Sequence, residues 1–244
     1  MKNSWSSKPV EANIRALVVR QRPQLPPLLE EAVAALWFAE CTARPELFNG
    51  AVFSVDHIIR SQGEMTLEGH WTEYRRIIAR IRNPEWGAAL EARPLAVVGV
   101  LEGPDGLLFG RRPTAAAYQP DIWQMAPAGN VDMAAATGSS VDPLTTLREE
   151  LAEELGLSEP AVRIGRPLCL VEHPQTGVLD LAIALHTDLP EAAIRHAHAT
   201  NGDGEYPEIV CVPRTALPGF LDRNNPSVGP QTLPFLQALG ALPR

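Results

Sequence analysis

Cysteine is scarce: Cys41, Cys169 and Cys211 are the only three among 244 residues. An odd, scattered set of this kind supports neither a disulfide framework nor a zinc cluster, and reads as small hydrophobes in a reducing compartment. Positive charge is also in short supply. Against 29 Asp and Glu stand 21 Lys and Arg, a net charge of −8 with no basic patch or aromatic–basic repeat to carry nonspecific nucleic-acid binding. No uncharged run approaches the ~18 residues of a membrane helix, and the leading MKNSWSSKPVEANIR lacks a signal-peptide core. A cytoplasmic protein with no nucleic-acid and no membrane partner is expected. Internal repeats and long low-complexity tracts are missing too, although prolines punctuate the chain often. Apolar residues are plentiful at 45%, enough for a sizeable core. The length exceeds the roughly 150 residues used as a domain prior, so one large domain or two modest ones are expected.

The segment LREELAEELGL, residues 147–157, gathers Glu150, Glu153 and Glu154 within about one helical turn and then stops at Gly156. Asp142 is a good N-cap, Pro143 suits the first helical position, and Gly156 supplies the usual C-terminal stop, which together predict a helix. Leu144, Leu147, Leu151 and Leu155 make one apolar stripe for a core. The acids crowd one another beside it, and each like-charge pair at this spacing costs roughly 0.2–0.5 kcal/mol in an isolated helix. A hard divalent cation would turn that repulsion into ligation. A solvated acidic face is the bland alternative.

Upstream, LAVVGVLEGPDGLLFGRR from Leu95 to Arg112 carries a Pro-Asp-Gly turn signal between apolar runs and predicts a hairpin. Ile122–Met125 reads as a strand, and PAGNVD, from Pro127 to Asp132, as a tight small-residue turn. At this point the chain resembles the Nudix hydrolases. Glu150 to Leu157 read as the second half of that family's box, E-U-x-E-E-x-G-U with U a bulky apolar residue, and PAGNVD resembles its opening glycine turn, with Gly129 as the glycine. The departures are specific. The family's arginine falls on Glu149, and Arg148 is rotated about 100° away around a helix. The loop MAAATGSSVDP is about six residues longer than the box allows and reads as a flexible surface insertion. The box's first glutamate has no clean counterpart, since Ala135 or Val141 falls there according to the direction of counting.

The resemblance implies an α/β fold, a Nudix-type α/β/α sandwich with a mixed sheet, and metal-dependent hydrolysis of a nucleoside diphosphate linked to another group. Glu150, Glu153 and Glu154 would hold Mg²⁺ or Mn²⁺, Glu153 being the most peripheral, with the Gly129 carbonyl as a further ligand. Glu150 and Glu153 would also serve catalysis. A general base is sought outside the helix. Glu205, in the acidic loop Gly202–Glu208 before the strand-like IVCVP, is the candidate, followed by Glu208 and by Glu172 in LCLVEH. Arg111 and Arg112 end the hairpin's second strand, and a guanidinium's planar fork suits phosphate. Tyr118 and Trp123 are candidates to stack on a base, Trp123 reading more readily as core. His196-Ala197-His198 reads as surface helix, because nothing nearby completes a zinc set.

Residues 1–93 read as a small α+β extension and 94–244 as the Nudix domain. The extension's predicted parts are a helix over LLEEAVAALWFAECTAR, a strand through AVFSVDHIIR, a second strand EMTLEG, a helix TEYRRIIARI and a linker PEWGAALEARP. This order is similar to that of Nudix enzymes that split UDP-glucose into UMP and glucose 1-phosphate, with ADP-ribose the neighbouring expectation. A catalytically weak ligand-binding module is the alternative. Monomer and homodimer are both compatible with the sequence.

Overall fold

The computed structural model describes residues 5–243. In chain order the elements are β1 (Ser6–Pro9), β2 (Asn13–Val18), α1 (Pro27–Ala43), β3 (Ala51–Ser61), β4 (Glu64–Glu73), α2 (Tyr74–Arg82), α3 (Gly87–Leu90), β5 (Leu95–Gly103), β6 (Gly106–Arg111), β7 (Trp123–Met125) and β8 (Ala128–Asn130). There follow β9 (Ala136–Thr137), β10 (Ser140–Val141), α4 (Pro143–Leu155), β11 (Val162–Glu172), β12 (Leu179–Thr187), α5 (Glu191–Asn201), β13 (Glu208–Val212), α6 (Leu217–Asn224) and α7 (Thr232–Leu239).

The larger sheet is mixed. Its order is β1-β11-β12-β5-β6-β13, with β12 and β5 parallel and the other pairs antiparallel. β5 and β6 pair only at the hairpin end and then diverge, and the opening is filled by β7 on β6 and β8 on β5. Alternation along the strands sorts side chains into two layers. Leu95, Val97 and Leu101 of β5, with Leu179, Leu181, Ile183 and Leu185 of β12, join the core shared with α4 and α5. Val98, Val100, Ala182 and Ala184 face the opposite layer, where Phe220 of α6 and Phe235 and Leu236 of α7 pack. The result is an α/β/α sandwich.

α4 forms as its caps predict. The Asp142 carboxylate accepts from the Leu144 N–H at 3.0 Å, and Gly156 takes the left-handed conformation at φ 63° that glycine adopts without penalty. Leu147, Leu151 and Leu155 are fully buried or nearly so, each stabilising by roughly 1.5–3 kcal/mol relative to exposure.

The second sheet is ordered β3-β4-β2-β10-β9, and three segments depart from the sequence reading. The MAAATGSSVDP loop is no flexible insertion. It folds into the β9–β10 hairpin, which pairs with Leu17 and Ala16 of β2 and buries Val141. PAGNVD is likewise an extended segment, because β8 pairs Ala128–Asn130 with Val98–Ala96 of β5. The linker holds α3, with Leu90 and Ala92 buried against α1 and α2. Residues before and after position 93 therefore share both sheets, β1 pairing with β11 in one and β2 with β10 in the other.

Candidate active site

The acids of α4 are aimed by the helix's own geometry. With the leucine stripe against the sheet, Glu154 and Glu150, one turn apart, lie at the edge of that stripe and reach the divergence filled by β8. Glu154 is fully buried. Its Oε2 accepts the Ala128 N–H at 2.9 Å, and its Oε1 is buried with no partner. Glu150 lies over Gly129 so closely that a Cβ there would overlap its carboxylate. This explains the glycine in an extended strand: what it provides is close approach, not a turn. Glu153 and Glu149 are exposed on the solvent side of α4.

A third carboxylate arrives from the segment before β13. Tyr206 is fully buried and its hydroxyl accepts from Gln124 Nε2 at 2.8 Å, while the Glu205 N–H bonds Asp203 Oδ1 at 2.8 Å. These two anchors hold Glu205 against Arg112, whose Nη1 donates to its carboxylate at 3.2 Å. Electrostatics show the crowding. Burial, then the charge of Glu205 and of Glu153, pushes Glu150 up to about 8. Burial, then Glu205 and Glu150, holds Glu154 well above the ordinary range against the opposing Ala128 N–H. Burial also raises Glu205, with Arg112 pulling the other way. One buried and two half-buried acids, with Glu205 raising both Glu150 and Glu154, form a site short of positive charge.

The two arginines part company. Arg112 lines the space next to Glu150 and Glu205 and keeps a buried Nε without a partner. Arg111, on the other strand face, is bound to Asp121 at 3.0 Å and lies 6.0 Å from the Trp123 ring centroid. Glu208 pairs loosely with Arg111 at 3.7 Å, away from the acids. Glu172 is engaged elsewhere: its burial is outweighed by bonds from Arg93 at 2.9 and 2.8 Å and Lys8 at 3.0 Å, which lower it. Trp123 is buried beside Phe220, whereas Tyr118 lines a cavity. His196 is exposed on α5 and His198 half-buried, and Arg148 pairs with Glu159 and Asp142 on the surface.

Sequence reasoning missed Tyr74 and Asn130, which line both the space at the acids and an adjoining cavity, and Asp180, which lines that cavity alone. Asp180 did leave a signal, as the one charged residue inside the apolar run VLDLAIAL. Among the described residues, no group of three or more His, Cys, Asp or Glu is already drawn together closely enough to hold a metal. The orphaned Glu154 Oε1 and the mutually raised carboxyls nevertheless fit a hard divalent cation, which takes oxygen ligands and relieves that repulsion. No helix among the described residues is long and apolar enough to cross a membrane.

A mixed sheet between helical layers, with an acidic helix over the divergence between two of its strands, agrees with the α/β/α sandwich expected from the sequence. The chain matches no family model and no curated protein. Similar solved structures include a Nudix-family hydrolase from Clostridium perfringens, at 14% identity over 62% of this chain and 98% of that one with a TM-score of 0.42. A MutT protein from Methanosarcina mazei is 15% identical over 62% of this chain and 96% of its own, TM-score 0.41. A Deinococcus radiodurans protein is 16% identical over 59% and 82%, TM-score 0.45.

Proposed function

We propose that this chain is a divergent Nudix hydrolase that cleaves the diphosphate bond of a nucleoside diphosphate linked to another moiety, of the UDP-sugar or ADP-ribose kind, with Mg²⁺ or Mn²⁺. The observation that carries the reading is Glu154, fully buried with one carboxylate oxygen unpartnered, its ionisation opposed by the half-buried Glu205 and Glu150. Glu150 and Glu154 would hold the cation; Glu205 and Gly129 line the space beside Glu150 and would have to draw closer to add to it, while Glu153 is exposed. When bound, the cation supplies charge neutralisation at the phosphates and a lowered pKa for water.

The chain's own groups account for the rest. Arg112 is placed to bind a phosphate oxygen through its free Nε. Glu205, raised by burial, is placed to accept a proton from the attacking water, because a carboxylate whose pKa lies nearer neutrality is the better general base. Its ion pair with Arg112 fixes its position. Arg111, tied to Asp121 and stacked near Trp123, would act only in supporting β6.

The test is to incubate the protein with UDP-glucose, ADP-ribose, NADH and a diadenosine polyphosphate in Mg²⁺ or Mn²⁺ and to follow nucleoside monophosphate release. Cation-dependent release from at least one is expected. Tight binding of one with turnover of none would replace the enzyme by a ligand-binding module, for which the missing box arginine at Glu149 gives a physical reason.

A further inference from the structure

On the far side of β8 from Glu150 lies a second cavity of about 100 Å³. Tyr74, Arg112, Ala128, Gly129 and Asn130 line both this cavity and the space at the acids, so the two communicate across the sheet's divergence. Its walls are largely apolar: Ile77 and Ile81 come from α2, Val98 and Val178 from the sheet side, and Phe235 from α7. Asp180 lines it as well.

Asp180 is out of character there. β12 sends large residues to the α4 core and small ones, Ala182 and Ala184, to the opposite layer. Asp180 shares the alternation of the alanines, so its carboxyl stands on the cavity face, 7% exposed. Burial alone raises it, to about 7, with no hydrogen bond or cation offsetting the shift. A carboxyl this nearly buried is costly to ionise unless a donor completes it. In register, Asp180 and Asn130 both pair with Ala96, on either side of it. Two strand spacings, about 10 Å, separate them. A ligand group at Asp180 therefore continues past Asn130 to Gly129 and the acids.

We infer that this cavity seats the nucleobase of the substrate, and that Asp180 selects bases bearing an exocyclic amino group by accepting its N–H. Adenine, guanine and cytosine offer that donor. Once ionised, the Asp180 carboxylate only accepts, and uracil, with carbonyls on either side of its single N–H, meets it unfavourably. The planar ring would lie between the apolar walls, with Tyr118 at the rim. This inference rests on the hydrolase reading for the direction of the ligand, and it favours the ADP-ribose kind of substrate over the UDP-sugar kind.

The experiment is calorimetric titration of the full chain, in chelator and well above the Asp180 value of about 7 so that its carboxylate only accepts, with AMP, GMP, CMP and UMP, none of which has a diphosphate bond to cleave. The strongest of the amino-bearing nucleotides is expected to bind at least about tenfold more tightly than UMP, the scale of one mismatched buried hydrogen bond. Asp180→Asn, which can donate as well as accept, is expected to bring the four within about threefold of one another. UMP binding as tightly as the others to the natural chain would overturn the inference without recourse to any variant, and so would an undiminished preference in a folded Asp180→Asn protein. The two readings fail differently. Equal cation-dependent hydrolysis of UDP-glucose and ADP-ribose removes the base selection and leaves the hydrolase, whereas base-selective binding without hydrolysis of any substrate does the reverse.

Discussion

At Gly129 a single methyl group decides whether Glu150 can reach its place. Gly129→Ala would put a Cβ into the Glu150 carboxylate, and either β8 or α4 must yield, a change of the overpacking kind worth about 1–3 kcal/mol. Turnover is expected to fall at least ~10-fold, with the loss of fit read as a lower melting temperature. Glu154→Gln separates function from stability. It removes a cation ligand, which should lower turnover at least ~100-fold. It also removes a buried acid that opposes its neighbours, so the cation-free variant should melt higher than the natural chain. Unchanged turnover would end the assigned role. The pH dependence follows from the same groups. Glu150 is raised to about 8 and Asp180 to about 7 by burial first, so the folded state holds protons that the unfolded chain releases near pH 4–5. Stability contributed by those protonated forms is present below that range and is lost as pH rises through 7 to 8. A cation-free melting curve rising steadily from pH 5 to 8 would contradict these shifts; added Mn²⁺ is expected to restore the lost stability at pH 8.

The pairing of Glu150 with Glu154 was legible because helical spacing is fixed, and the choice between Arg111 and Arg112 was not. Adjacent strand residues point to opposite faces, and which face carries the acids depends on a register that only the packed sheet sets. The same limit hid Asp180. Its isolation in an apolar strand marks it, but the cavity before it is assembled from α2, β8 and α7.

Among the elements, α4 was readable because its start, stripe and stop each have a local cause. Removing one of these has a measurable effect: Asp142→Ala deletes the acceptor for the Leu144 N–H and should cost about 1 kcal/mol in denaturant unfolding. Its effect on turnover should be less than ~3-fold, since Asp142 lies at the opposite end of the helix from Glu154. β8 and the β9–β10 hairpin were not readable. Strands of two or three residues carry no period, and Gly129 looks like a turn residue until its neighbours are known, whereas Gly138 does make the β9–β10 turn at φ 63°. β1 and β2 gave no signal for a related reason, being short edge or parallel partners whose mates lie far along the chain.

At the scale of the molecule, the sheets bind the first third of the chain to the remainder. The Glu172 carboxylate reinforces this by holding Lys8 of β1 and Arg93 ahead of β5. Residues 94–244 expressed alone would leave β11 without β1 and β10 without β2. Such a fragment is expected to show exposed strand edges, dye-binding apolar surface and aggregation. A soluble, cooperatively melting fragment would contradict that. The sandwich itself was legible from the hairpin and the acidic helix. The sharing of sheets was not, because it depends on β1, β2, β9 and β10, which are too short to announce themselves.

The pairing of Ser6–Pro9 with Glu172–Cys169 also sets a timetable. During synthesis the first strand leaves the ribosome long before its mate exists, and at about 5–20 residues per second it waits roughly 8–30 seconds with its backbone unpaired. The second strand gains its parallel neighbour Glu64–Gly69 early, but waits for Ser140–Val141 on its other side. Folding of this chain is therefore expected to be late and cooperative, with the acidic centre completed only when Glu205 emerges.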